Sequence, residues 1–86
     1  MEIIFTIAAE KGLKFWKETN NEKILKRIKE LSESVTETPT EGIGKPETLK
    51  YNLSGLWSRR INQQHRLIYE IGLDEIITIH SVKGHY

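Results

Sequence analysis

Ile24, Leu25, Ile28, Leu31 and Val35 recur at intervals of three and four, with Lys, Arg and Glu filling the positions between them. That spacing lays one apolar stripe along a helix. Thr19-Asn20-Asn21 just ahead of it interrupts the pattern and supplies cap-forming side chains. A second helical stretch precedes the break, from Ala8 to Glu18, with Ala9, Leu13 and Trp16 on one face and Ala8, Gly12 and Phe15 on the neighbouring one. Residues 2–7, Glu-Ile-Ile-Phe-Thr-Ile, are β-branched and aromatic and read as a strand.

From Thr36 to Pro46 the periodicity stops, and Pro39, Gly42, Gly44 and Pro46 mark a loop that ends at Glu47. Residues 56–62, 65–71 and 75–82 then read as three strands. The breaks between them, Asn62-Gln63-Gln64 and Gly72-Leu73-Asp74, are short enough for antiparallel hairpins. Alternation within 65–71 puts Arg66, Ile68 and Glu70 on one face and His65, Leu67, Tyr69 and Ile71 on the other. The order β-α-α-β-β-β predicts an α+β domain over residues 1–86, with two helices packed on one face of a mostly antiparallel sheet.

Composition narrows the class. Of 86 residues, 37% are hydrophobic and 29% charged, which fits a globular chain, and no long apolar run suggests a membrane span. A soluble, cytoplasmic protein is expected. There is no cysteine, so disulfide and thiolate chemistry are excluded. No His, Asp and Glu spacing proposes a metal site, and Gly42-Ile43-Gly44-Lys45 lacks the spacing of a phosphate-cradling loop and looks like a flexible connector. Neither metal nor cofactor is expected.

The net charge of +1 hides an asymmetry. Residues 1–40 carry seven basic and seven acidic side chains, whereas residues 45–66 carry Lys45, Lys50, Arg59, Arg60 and Arg66 against Glu47 alone. A segment of that kind suits a phosphate ligand, and Tyr51 and Trp57 would add stacking surface for bases. From composition alone, a solvated surface with Trp57 in the core is the better reading.

Further motifs sharpen the choice. Phe15-Trp16-Lys17-Glu18-Thr19, Gly44-Lys45-Pro46-Glu47, Asn52-Leu53-Ser54-Gly55 and the closing His85-Tyr86 occur in that order, and residues 46–71, PETLKYNLSGLWSRRINQQHRLIYEI, join the middle blocks. The chain so resembles the YoeB branch of the RelE-like toxins, small bacterial proteins that cut messenger RNA in the ribosomal A site. The resemblance implies a fold with two helices on one sheet face and RNA on the other. It also implies metal-free cleavage, with Glu47 as general base, His85 as general acid and Arg66 as the main phosphate clamp. Lys50 and Arg59 match family positions that hold phosphate, Arg60 joins them as an RNA-binding cation, and Tyr86 matches the terminal tyrosine that places substrate.

On residue type alone, Glu47 reads as a cap on a short helical turn and His85 as part of a frayed end, while Arg66 reads equally as a partner of Glu70. His65 and His80 read as packed or hydrogen-bonded. The implied partners are messenger RNA on the ribosome and a YefM-like antitoxin, with operator DNA reached only through the antitoxin complex; family members often dimerise. Two alternatives come from other classes: a non-catalytic RNA-binding module, and an operon co-repressor partner. This chain departs from the family at Thr48-Leu49-Lys50-Tyr51, which replaces Pro-Leu-Lys-His, and at Val82-Lys83-Gly84, where Gly84 is expected to loosen the terminus.

Overall fold

The computed structural model describes residues 1–84, so the expectations for His85 and Tyr86 lie outside the described residues. Strand β1 (Glu2–Phe5) is followed by α1 (Ile7–Glu18), α2 (Glu22–Glu37), β2 (Glu47–Thr48), a 3₁₀ turn at Tyr51–Leu53, β3 (Leu56–Arg60), β4 (Arg66–Ile71) and β5 (Ile76–Ser81). The five strands form one sheet in the order β1-β5-β4-β3-β2. β1 runs parallel to β5, and the other three pairs are antiparallel.

The first strand is shorter than its apolar run because Thr6 leaves it to cap α1. Its hydroxyl accepts from the Ala9 N–H at 3.1 Å, and its own N–H donates to the Ile79 carbonyl at 3.0 Å. Asn21 does the same for α2, accepting from Ile24 N–H at 3.2 Å. The apolar stripe of α2, Ile24, Ile28, Leu31 and Val35, is buried together with Ala9 and Trp16 of α1. These meet Leu67, Tyr69, Ile77 and Ile79 from the central strands in one core. Both helices thus cover a single sheet face, as the sequence predicts.

Two local readings are corrected. Glu47 does not cap a helical turn: it lies in β2, directly opposite Ser58 of β3. The strand is only two residues long and follows a proline, so periodicity carried no signal for it. Nor is Gly42-Ile43-Gly44-Lys45 a flexible connector. The Arg60 N–H donates to the Gly44 carbonyl at 2.7 Å. Gly44 sits at φ +83°, and a Cβ there would come within 2.6 Å of Leu31 Cδ2 and 3.1 Å of Arg59 Cβ. Only glycine lets the backbone lie so close to α2 in a left-handed conformation.

Gly44→Ala is therefore expected to cost about 2–4 kcal/mol, combining left-handed strain with overpacking. Urea unfolding of the two proteins would check it.

Candidate functional site

Strand alternation sorts the basic segment. Trp57 and Arg59 point towards the helices, while Ser58 and Arg60 belong to the opposite face. Trp57 is half-buried and stacks on Tyr69, with ring centroids 6.3 Å apart. It is a core residue and not a platform on the open face. Arg59 has 0% exposure. Its Nε–H donates to the Tyr69 hydroxyl at 3.1 Å. Nη1 donates to Ser34 Oγ at 2.7 Å and the Ile43 carbonyl at 3.2 Å, and Nη2 to the carbonyls of Thr38 at 2.6 Å and Glu41 at 2.8 Å. A guanidinium has five N–H donors, and these five bonds use them all. Arg59 as a phosphate-holding residue is thereby corrected: its charge is enclosed and solvated by protein dipoles.

Arg60, its neighbour, is exposed and pairs directly with Arg66 across β3 and β4. Along the same face, Glu47, Ser58 and Ile68 form one cross-strand row, and Arg66 lies two residues from Ile68. The row brings the carboxylate and the guanidinium together. Arg66 Nη1 donates to Glu47 Oε1 at 3.3 Å, with the side chains 22% and 59% exposed. A pair this open to water contributes about 0–1 kcal/mol, too little for a structural role and suited to rearrangement around a ligand. Glu70, the other partner considered for Arg66, instead meets His80 Nε2 at 2.9 Å. Lys50 is exposed at the start of the 3₁₀ turn, and Tyr51 beside it is 90% exposed at φ 60°.

The face turned away from the helices is closed at its centre, where Ser58 and Ile68 are 0% and 1% exposed.

His65 proves more than a packed residue. Its Nδ1 accepts from the Gly84 N–H at 2.9 Å, and its ring stands edge-on to Trp16 at 4.8 Å. The Arg66 N–H donates to the Gly84 carbonyl at 2.8 Å, and Trp16 Nε1 donates to the Val82 carbonyl at 3.0 Å. Gly84, at φ +86°, is thus tied on both sides, against the expectation that it loosens the chain. His-Arg at 65–66 therefore anchors the chain up to the residue before His85. Sequence spacing held no sign of this role, since the two partners are 19 residues apart.

A small mixed sheet with two helices packed on one face is the fold of the RelE- and YoeB-type toxins. A sequence model described as the YoeB-like toxin of bacterial type II toxin-antitoxin systems matches residues 5–86. A toxin YoeB from Synechocystis is 52% identical over 71 residues, covering 83% of this chain and 81% of that one. A YoeB/ParE toxin from Agrobacterium tumefaciens superposes over 100% of both chains with a TM-score of 0.93 at 32% identity. The Staphylococcus aureus YoeB, solved in a YoeB-YefM complex, matches with a TM-score of 0.88 at 46% identity, covering 100% of this chain and 98% of that one. A YoeB dimer from Staphylococcus aureus matches with a TM-score of 0.89 at 45% identity and the same coverage. The chain belongs to the YoeB-like toxins of bacterial type II toxin-antitoxin systems.

Two predictions follow from the Arg59–Tyr69 pair. Arg59→Met leaves three carbonyls and two hydroxyls without their donor, and is expected to cost about 3–5 kcal/mol, the range for breaking a buried charged network; urea unfolding would measure it. Burial pushes the Tyr69 hydroxyl above its ordinary value, a rise that the hydrogen bond and charge of Arg59 only partly offset. In the unfolded chain it ionises near pH ~10, so folded stability falls as pH rises through that value and beyond. Tyr69→Phe removes this part of the alkaline loss, and the stability gap between parent and variant is expected to narrow between about pH 9 and 11.

Proposed function

We propose that this toxin is a ribosome-dependent endoribonuclease that cuts messenger RNA in the A site. The observation that carries the reading is the Glu47–Arg66 contact at 3.3 Å on the face left open by the helices. Cleavage needs a base, an acid and a cation around one phosphodiester. Glu47 takes the proton of the 2′-hydroxyl, whose oxygen attacks the adjacent phosphorus. Arg66, released from Glu47 towards the phosphate, stabilises the negative charge that gathers on the phosphorane oxygens. The bond to the 5′-oxygen breaks, and His85 delivers the proton that the leaving oxygen needs. The immediate products are a 2′,3′-cyclic phosphate and a 5′-hydroxyl. No metal is required, because the side chains supply both proton transfer and charge stabilisation.

Lys50 and Arg60 hold neighbouring phosphates in this scheme, and Tyr86 places the substrate. Arg59 takes no part in RNA contact and serves the loop that leads to Glu47. The Staphylococcus YoeB-YefM complex supports a YefM-like antitoxin as the partner that neutralises the toxin, and the Staphylococcus YoeB dimer supports self-association. Operator DNA is reached through the antitoxin complex, and the site of action is the cytoplasm. None of the described helices is long and apolar enough to cross a membrane.

Programmed ribosomes incubated with the toxin, and mapped by primer extension, are expected to show messenger cuts that fall about 10²–10⁴-fold in each of Glu47→Gln, Arg66→Ala and His85→Ala. Cuts undiminished in Glu47→Gln would remove the base assignment. No cutting by the parent, with salt-dependent RNA binding retained, would make the chain a non-catalytic RNA-binding module.

A further inference from the structure

Arg60 and Arg66 stand directly opposite each other on β3 and β4. Like charges at facing strand positions repel, and a fold keeps them there at a cost to its stability. Arg66 has some relief from Glu47, whereas Arg60 is paired with no carboxylate among the described residues. A third guanidinium joins them from the other side of the molecule: Arg27 of α2 reaches over the sheet end, with Nη2 3.5 Å from the Arg60 carbonyl oxygen. Arg27, Arg60 and Arg66 line one groove of about 390 Å³ with Ile61, Asn62 and Gln63. No acidic side chain among the described residues lines it. Its floor is fixed, because Asn62 Oδ1 accepts from the N–H groups of Gln64 and His65, both at 2.8 Å.

Three cations around a groove without a carboxylate favour an anion between them, and the planar donor fork of arginine matches phosphate oxygens. We infer that this groove binds a second phosphate of the message, flanking the one that Arg66 receives, with Arg27 as a further RNA-binding residue. The inference rests on the proposed RNA-cleaving function, since Arg60 and Arg66 connect the groove to that site. The same strand therefore continues from the open face around the β3–β4 turn towards α2. There an adjoining groove of about 610 Å³ shares Arg27, Ile61 and Asn62 and adds Lys23 and Lys26, against Glu30 alone.

The test measures binding apart from cleavage. A single-stranded RNA oligonucleotide, 2′-O-methylated throughout so that 2′-oxygen attack is blocked, is titrated into parent, Arg27→Gln, Arg27→Lys and Lys29→Gln proteins over a range of salt concentrations. Each phosphate contact contributes about 0.7 to the slope of log affinity against log salt for a single strand. Arg27→Gln is expected to lower the slope by about that amount, Arg27→Lys to keep it, and Lys29→Gln, which lines neither groove, to leave it unchanged. An unchanged slope in Arg27→Gln, or an equal loss in Lys29→Gln, would overturn the inference. A slope that stays intact while binding to message-free ribosomes weakens would overturn it too, assigning the groove to ribosomal RNA. If the parent cuts no messenger but the Arg27 slope change persists, the groove stands and the catalytic reading falls.

Discussion

A guanidinium buried without a carboxylate holds the site side of this molecule together. Arg59 ties the end of α2, the loop after it and two sheet strands to one planar group, through Ser34, Thr38, Glu41, Ile43 and Tyr69. An isolated buried charge would be prohibitive, and what makes this one tolerable is that every donor meets an oxygen. Lysine has the charge but only three donors from one nitrogen, and could not span these acceptors. The clamp also explains how a loop with two prolines and two glycines between Thr36 and Pro46 delivers Glu47 to a fixed register. Chain stiffness does not do it; convergence of loop carbonyls on one side chain does.

Tyr69 completes the arrangement from the far side. Its hydroxyl accepts from Arg59 and donates to the Pro39 carbonyl at 2.7 Å, while its ring stacks on Trp57. Aromatic packing and loop anchoring are thus the same residue's work, and the core beneath the sheet is continuous with the support of the face above it.

Most of the fold was legible in the sequence because it rests on periodicity. The α2 stripe, the two hairpins and the β-α-α-β-β-β order all follow from local spacing that a reader can count. The open-face pair was legible only through family motifs, since Glu47 and Arg66 are separated by 19 residues and joined by strand register. Arg59 and Arg60 show where motif reading needs geometry beside it. Adjacent residues of a strand face opposite ways, so a basic doublet in β3 could offer only one member to the open face. Alternation applied to Leu56–Arg60 from a core-facing Trp57 would have separated them. The roles of His65 and Gly44 were illegible for a different reason: each depends on a backbone contact with a distant segment, which leaves no periodic trace.

The placement of Glu47 has one more consequence. It rides on a two-residue strand at the outer border of the sheet, flanked by the backbone bonds from Arg60 N–H to the Gly44 carbonyl and from Leu49 N–H to the Leu56 carbonyl. Border strands this short separate at far smaller free energies than a packed core. Local opening at the rim can therefore dismantle the carboxylate–arginine pair while the helices and central strands stay intact. The folded population and the population with this pair in place are then two different quantities, and the first exceeds the second.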